Sequence, residues 1–278
     1  MALRVKDVRV CILRIEGTNC EEETYQAFRR SGASPEIVHL KQLLGQDIRA
    51  EEARNLSDYQ ILVAPGGFSS GDYVRAGAIL AARMKSRMQD ELVEFIREGR
   101  PVLGICNGFQ VLVELGVLPG LDTVMSGYPT ASLGWNDSGR FECRPTLLKN
   151  WNRGNCLFTG KLEKGQIIQA PSAHAEGKFM LPKAKEKEML DQLKDNDQIV
   201  FRYVNADGLV AGYPWNPNGS LYNIAGVCNP EGNVFGMMPH PERTYFGFQE
   251  ADWTRKSPID GDGKAIFESV LDYVTKKF

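Results

Sequence analysis

The chain has 278 residues, of which 42% are apolar and 24% are charged, a composition typical of soluble globular domains. Its 33 basic and 35 acidic residues leave a formal net charge of −2, which argues against nucleic acid or an anionic membrane as the main partner. No apolar run approaches the roughly 18 residues of a membrane span, and residues 1–10 lack the apolar segment of a secretory signal. We therefore expect a cytoplasmic protein with reduced cysteines.

The first half of the chain alternates predicted strands with predicted helices. Apolar or β-branched runs predict strands at residues 8–15, 34–40, 59–64 and 101–105. Acidic first turns and helical spacing predict helices at residues 21–30, over about fifteen polar residues after residue 40, and at 88–98 and 107–115. This alternation is typical of a mostly parallel central sheet flanked by helices, so we expect an α/β fold.

After residue 119 the pattern changes to short strands separated by turns rich in Gly, Asn and Pro. These pieces predict additional, more antiparallel strands in the second half of the same domain. The predicted strands cover residues 141–148, 166–170, 199–203, 222–228 and 233–238, and a last helix covers 264–276.

The segment from Gly104 to Gly108 has the spacing of a nucleophile elbow, with Cys106 between the glycines, a predicted strand before it and a predicted helix after it. Such a turn strains the backbone, and its glycines remove side chains that would clash. The thiol then lies at a helix N-terminus, where free amides and the helix dipole stabilise negative charge. Cys106 is therefore the candidate nucleophile, with a buried structural cysteine as the alternative.

His240 and Glu242 follow the predicted strand at residues 233–238. Residues two apart in extended backbone point to the same side, so these side chains can lie together at the strand end. A carboxylate beside an imidazole fixes its tautomer and raises its basicity. With Cys106 they form a candidate Cys-His-Glu set for nucleophilic catalysis. Taken alone, the pair is also consistent with a turn carrying a surface ion pair.

Two adjacent glycines, Gly66 and Gly67, follow the predicted strand at residues 59–64. The amide of Gly67 or Phe68, together with that of Asn107, is a candidate oxyanion hole, and a plain tight turn is the alternative. No phosphate-binding loop has the required spacing. The six cysteines include no CxxC pair, and there are only three histidines, so we predict no metal site and no cofactor in this chain.

At these motifs the chain resembles the class I (triad-type) glutamine amidotransferases. Residues 104–110 are similar to their nucleophile motif and residues 237–243 to their His/Glu motif. Among them the chain is similar to the glutaminase subunits of phosphoribosylformylglycinamidine synthase. The supporting segments are residues 17–20, 66–69, 71–73, 216–220 and 223–226.

The resemblance implies a single flavodoxin-like domain at residues 8–278, with a core of about 8–243 and a C-terminal extension at 244–278. It also implies hydrolysis of glutamine to glutamate and ammonia. The implied roles are Cys106 as nucleophile, His240 as acid and base, Glu242 as its orienting group, the amides of Gly67 and Asn107 as oxyanion hole, and Gln110 and His174 as substrate-binding residues.

The resemblance further implies L-glutamine as substrate and a large synthetase subunit as partner, and it leaves a small accessory subunit open. In the family, that synthetase takes up the ammonia and converts formylglycinamide ribonucleotide to its amidine, so ATP and magnesium are expected on the partner.

One segment departs from the family pattern. Residues 174–178 read His-Ala-Glu-Gly-Lys, where His-Gly-Glu-Gly-Arg is usual. Ala175 restricts a backbone that glycine would leave free, and Lys178 lacks the planar fork of arginine. An ordinary loop histidine is therefore the alternative for His174. Residues 80–90 also look longer than the family minimum, and no chemical role is predicted for them.

Two other functions fit parts of the pattern. A cysteine hydrolase of the DJ-1/PfpI type shares the cysteine elbow, but its histidine follows the nucleophile directly, where this chain has Asn107. A catalytically silent subunit that only docks on a synthetase is the other alternative. The presence of all three triad residue types argues against it.

Overall fold

The computed structural model describes residues 3–256 and 259–278. Nine strands form one sheet in the order β2-β1-β3-β4-β11-β10-β9-β6-β7, and β5 pairs with β8 in a separate ribbon. The strands are β1 (Arg9–Arg14), β2 (Ser34–His39), β3 (Ile61–Ala64), β4 (Val102–Ile105), β5 (Ser132–Trp135), β6 (Glu142–Asn150), β7 (Ile167–His174), β8 (Glu176–Met180), β9 (Ile199–Val204), β10 (Ile224–Cys228) and β11 (Val234–Met237).

The sheet is mostly parallel, as predicted. Strands β2, β1, β3, β4 and β11 pair in parallel, and the pairs from β11 through β10, β9 and β6 to β7 are antiparallel. Two successive reversals restore direction, so only β10 and β6 run against the others. Every residue of β3, β4 and β11 is buried, because both faces of the sheet are covered at its centre.

Seven helices accompany the sheet in the described residues: α1 (Glu21–Arg30), α2 (Leu40–Leu44), α3 (Ala78–Arg97), α4 (Asn107–Leu115), α5 (Glu186–Asp195), α6 (Trp253–Lys256) and α7 (Lys264–Lys277). The predicted helices at residues 21–30 and 107–115 are confirmed at both ends. Helix α3 starts ten residues before the predicted one at 88–98, so residues 80–90 lie within it. Among residues 3–256 and 259–278, no helix combines the length and apolar character that a membrane span requires.

The prediction of a helix over about fifteen residues after residue 40 is wrong. Helix α2 ends after one turn at Gly45, which is left-handed with φ 61°. Asp47 is also left-handed with φ 51°, and only two short 3-10 turns follow before β3. Two consecutive interruptions of helical backbone within three residues explain why polar, helix-compatible residues do not continue the helix.

The antiparallel half contains elements that the sequence pattern did not predict. The ribbon of β5 and β8 has a partly exposed surface and little apolar alternation. Helix α5 was also not predicted. In the extension after residue 243, helix α7 is packed into the core, where Phe267 meets Phe28 edge to face with ring centroids 5.1 Å apart.

Candidate active site

Cys106 occupies the sharp turn between β4 and α4, with φ 50° and ψ −107°. The two glycines of the elbow are required by close approach. A Cβ on Gly108 would overlap the carbonyl oxygen of Ala64 in β3, and one on Gly104 would lie 2.7 Å from the carbonyl oxygen of Gly108. The strained conformation predicted for the nucleophile is therefore present, and the backbone on either side leaves no room for side chains.

Strand β11 brings His240 to this turn. It lies beside β4 in parallel register, with Met237 opposite Ile105, and the Cys106 amide donates a 2.8 Å hydrogen bond to the Met237 carbonyl. Nδ1 of His240 lies 2.6 Å from Oε1 of Glu242. Both side chains are buried, so the surface ion pair considered as an alternative is absent from this structure.

Burial and the neighbouring side chains act on the pKa of His240 in opposite directions. Burial lowers the pKa of the imidazole, but the Glu242 carboxylate and the thiols of Cys106 and Cys20 outweigh burial and raise that pKa well above its usual range. The imidazole is therefore a strong base positioned beside the Cys106 thiol. Such an arrangement can take a proton from a nucleophile and return it to a leaving group.

The edge strand β7, which ends at the predicted site residue His174, also reaches the site. Its Pro171 carbonyl accepts a 2.8 Å hydrogen bond from the His240 amide, and its Ala173 carbonyl lies 3.6 Å from the Cys106 sulfur. The end of β7 thereby holds the backbone of His240 in place and covers the Cys106 thiol.

The loop after β3 lies against the same groups. Gly67 has φ 147°, and a Cβ there would lie 2.8 Å from the Asn19 nitrogen. The Phe68 amide donates to the Gly17 carbonyl at 2.8 Å, so of the two candidate amides Phe68 is already engaged. The Gly67 amide has no hydrogen-bond acceptor among the described residues. The Asn107 amide is the first of helix α4 and has no partner within the helix.

The side chains of Asn107 and Gln110 join this loop to the elbow. Oδ1 of Asn107 accepts from the Ser69 amide at 3.1 Å, and its Nδ2 donates to Asp72 at 3.2 Å and to Oε1 of Gln110 at 3.0 Å. Nε2 of the Gln110 side chain donates to the Glu176 carbonyl at 2.5 Å. Both polar ends of Gln110 are thus used within the protein, and its predicted contact with substrate stays a prediction.

His174 ends β7 and is buried, so it is not an ordinary loop histidine. Its Nδ1 lies 3.1 Å from Oδ1 of Asn136. Burial, and then the charge of His240, lower the pKa of His174 to about 3. Ala175 is not among the positive-φ residues of the described chain, so the missing glycine has no backbone cost there. Lys178 pairs with Asp137 at 2.5 Å.

Two residues near His240 were not predicted from the sequence. The Cys20 sulfur accepts a hydrogen bond from Nη2 of Arg243 at 3.1 Å and is buried beside the His240 ring. Cys20 was noticed only as part of a segment supporting the resemblance, and Arg243 only as the end of the His/Glu motif. Their proximity depends on tertiary structure and has no local signal.

The comparisons with known proteins agree with this geometry. The CobB/CobQ-like glutamine amidotransferase domain matches residues 7–274. The chain belongs to that family. Membership confirms the resemblance to the glutamine amidotransferases and excludes the hydrolase of the DJ-1/PfpI type.

Two curated relatives share a more specific name. A protein of Archaeoglobus fulgidus, called phosphoribosylformylglycinamidine synthase subunit PurQ, is 56% identical over 273 residues, covering 98% of each chain. A protein of the same name from Treponema denticola is 43% identical over 247 residues, covering 84% of this chain and 87% of the relative.

Solved structures of amidotransferases share the fold. A chain in the structure of PurLQS from Thermotoga maritima is 33% identical, with a TM-score of 0.70 and coverage of 96% of this chain and 99% of that chain. The glutaminase domain of Trypanosoma brucei CTPS is 14% identical with a TM-score of 0.56, covering 98% of this chain and 95% of that one, and this likeness concerns the fold alone.

Proposed function

We propose that this amidotransferase is the glutaminase subunit of phosphoribosylformylglycinamidine synthase. It hydrolyses glutamine and passes the ammonia to an ATP-dependent synthetase subunit, which converts formylglycinamide ribonucleotide to its amidine in purine biosynthesis. The observation that carries the proposal is the buried Cys106 thiol at a strained elbow beside the His240–Glu242 pair. The names of the relatives from Archaeoglobus fulgidus and Treponema denticola support the specific reaction.

In the proposed mechanism, the Cys106 sulfur attacks the side-chain amide carbon of glutamine and His240 takes the thiol proton. His240 then returns the proton to the leaving nitrogen, so ammonia departs and a glutamyl thioester remains. Next, His240 takes a proton from water, which attacks the thioester and releases glutamate with the thiol restored. Glu242 holds Nδ1 of His240 through the 2.6 Å contact, which leaves the other ring nitrogen for the reaction.

The negative charge of the tetrahedral intermediate needs donors that are already in position. We assign that role to the amides of Gly67 and Asn107, because both lack a protein acceptor in the described chain and flank the nucleophile. Gln110 and His174 are proposed to contribute to substrate binding, and a contact within the protein holds each side chain in place.

The proposal extends to partners and compartment. The reaction needs a synthetase subunit, with a small accessory subunit left open, and ATP and magnesium are proposed to act there and not in this chain. The substrate of this chain is L-glutamine, neither nucleic acid nor membrane is proposed as a partner, and the compartment is proposed to be the cytoplasm.

The test is Cys106→Ala in the complex with the synthetase, with Cys143→Ala at an exposed free cysteine as the matched control. We expect Cys106→Ala to abolish glutamine-dependent amidine formation and to leave formation from added ammonium unchanged. Cys143→Ala should retain both activities. Equal loss of both activities in Cys106→Ala would contradict the nucleophile assignment. Absence of glutamate release from the unmodified complex would favour the silent docking subunit.

A further inference from the structure

A second thiol, that of Cys20, lies beside His240 in the candidate active site and has no role in the proposed mechanism. Cys20 immediately precedes helix α1, and its amide donates to the Gly66 carbonyl at 3.2 Å. A Cβ on Gly66 would lie 2.8 Å from Cε1 of His240 and 3.0 Å from the Cys20 sulfur, so the thiol and the imidazole meet over this glycine. Only 1% of Cys20 is exposed.

Cys20, His240 and Glu242 together form a group of potential metal ligands. One sulfur, one ring nitrogen and one carboxylate oxygen lie within 4.8 Å of one another. Thiolate, imidazole and carboxylate are the three ligand types that Zn²⁺ takes in proteins. At the usual bond lengths, tetrahedral zinc ligands lie about 3.3–3.8 Å apart. The widest separation in the group therefore has to shorten by about 1 Å and the 2.6 Å contact between Nδ1 and Oε1 has to lengthen, and rotation about the side-chain bonds supplies both.

An independent observation points to an ion at this position. Oε2 of Glu242 is buried and makes no hydrogen bond with any described residue, and the triad uses only Oε1. A buried polar atom without a partner is uncommon, and a bound ion is one explanation for it.

We propose that Cys20, His240 and Glu242 bind Zn²⁺ and that this ion inhibits the glutaminase. Three protein ligands leave the fourth tetrahedral position open. Binding sends the Cys20 thiol proton to solvent and moves the proton that Nδ1 of His240 shares with Glu242 to Nε2, and bonds from zinc to sulfur, Nδ1 and oxygen replace them. With zinc on Nδ1 and the single ring proton on Nε2, His240 cannot accept the proton of Cys106, so glutamine is not attacked.

Arg243 covers the sulfur and controls entry to the site. Its guanidinium places a positive charge 3.1 Å from the Cys20 sulfur, which repels a second cation at the same place. The Arg243 side chain is 35% exposed, so it can turn toward solvent as the ion enters. The site therefore suits reversible, inhibitory binding better than a permanent structural ion.

The binding test uses the full chain and Co²⁺ as a spectroscopic probe for zinc, since a cobalt–thiolate bond gives a near-ultraviolet charge-transfer band. We compare Cys20→Ser with Cys106→Ser, which removes the other thiol beside the same histidine. The unmodified chain and Cys106→Ser should show the band and lose it when Zn²⁺ displaces Co²⁺. Cys20→Ser should lack the band and bind Zn²⁺ about 100-fold more weakly, since even outer-shell changes cost 10–100-fold.

Two outcomes overturn the proposal. If Cys106→Ser loses the band and Cys20→Ser keeps it, zinc binds the nucleophile and not Cys20. If no protein shows the band, there is no thiolate metal site. Cys20→Ala, with folding checked by circular dichroism, replaces Cys20→Ser if the serine variant does not fold.

A separate measurement addresses inhibition and rests on the proposed function. The glutaminase rates of the unmodified chain and of Cys20→Ser are measured with and without Zn²⁺, and each is referred to its own zinc-free rate. Zinc should inhibit the unmodified chain at concentrations that leave Cys20→Ser active. If glutaminase activity is absent altogether, the proposed function fails while the cobalt result still decides the metal site.

Discussion

Burial lowers the pKa of both histidines of the site, but only His240 has a carboxylate partner that opposes this effect. His240 keeps a raised pKa through Glu242 and the two thiols, whereas His174 has the neutral amide of Asn136 and a pKa lowered to about 3. His174 is therefore uncharged at neutral pH, and His240 can gain or lose a proton without competition from it. Of the two histidines, only His240 therefore acts as an acid–base group at neutral pH.

The depressed pKa of His174 predicts a pH dependence of stability. The unfolded chain binds a proton at His174 below about pH 6.5, but the folded chain binds it only below about pH 3. Between these values the unfolded state holds more protons, so stability is lost as the pH falls. His174→Gln removes this loss. Urea unfolding should show that lowering the pH from 7 to 5 costs the unmodified chain roughly 2 kcal/mol more than the variant.

An equal loss in both proteins would show that His174 takes up no proton on unfolding. The contribution of His240 has the opposite sign, because a raised pKa stabilises the folded state below about pH 6.5 and that stability is lost at higher pH. Comparing the variant with the unmodified chain cancels that contribution.

Glu242→Gln tests the cause of the raised pKa at His240. The substitution keeps the size of the side chain and removes its charge, so the pKa of His240 should fall by about one to three pH units. The chain has only three histidines, which makes titration by NMR of labelled imidazoles practical. His174→Gln serves to assign the resonances. An unchanged midpoint for His240 would show that Glu242 only orients the ring.

The candidate site was predictable where its signals are local. The elbow around Cys106 and the pair of His240 and Glu242 are each contained in a few residues, and the structure brings them together at adjacent strands. The position of Cys20 beside His240 was not predictable, because the two residues are far apart in sequence and meet only when the segments after β1 and β11 come together in the fold. The spacing of cysteines and histidines likewise gave no hint of the ligand group at Cys20.

At the scale of elements, the backbones of helix α4 and strand β3 are in direct contact at Gly108, with no side chain between them. Gly108→Ala would place a methyl group on the Ala64 carbonyl oxygen, and backbone on both sides prevents relaxation. We expect a loss of at least about 2 kcal/mol in the free energy of unfolding, measured with denaturant. The elbow itself would also shift, so glutaminase activity should fall more than stability alone explains.

Gly160→Ala is the matched control. Gly160 has helical backbone angles, φ −60° and ψ −18°, and its Cβ would meet no atom within 4 Å. The free energy of unfolding of this variant should change by no more than about 0.5 kcal/mol. Similar losses in both variants would indicate a general cost of alanine and not the close packing of α4 on β3.

Sequence patterns predicted the elements well where burial is strong and poorly where it is weak. The buried strands β3 and β4 and the helix α4 were predicted within two residues of their ends. The ribbon of β5 and β8 was missed because half-exposed strands lack a clear apolar period. After residue 40, helix propensity was overruled by the left-handed backbone of Gly45.

At the scale of the whole molecule, the parallel half of the sheet carries both catalytic motifs at the carboxyl ends of β4 and β11, where open α/β sheets place their sites. The antiparallel half adds the wall from β7 over the same edge. The loop after β3 connects this edge to the surface. Within it Ser70, Gly71 and Asp72 are successively left-handed, and the following Tyr73 is 89% exposed.

This loop leads us to expect weak glutaminase activity in the isolated chain and a higher rate with the synthetase. A partner that contacts Tyr73 can move the strained loop and with it the Gly67 amide that we assign to the oxyanion hole. Tyr73→Ser should leave the rate of the lone chain unchanged and raise by about tenfold the synthetase concentration needed for half-maximal stimulation, as expected for an interface hot spot. Phe278→Ser is the control, because that ring packs near Arg100 at the opposite end of β4. Full activity of the lone chain, or equal effects of the two variants, would contradict a role for this loop in coupling the partner to the site.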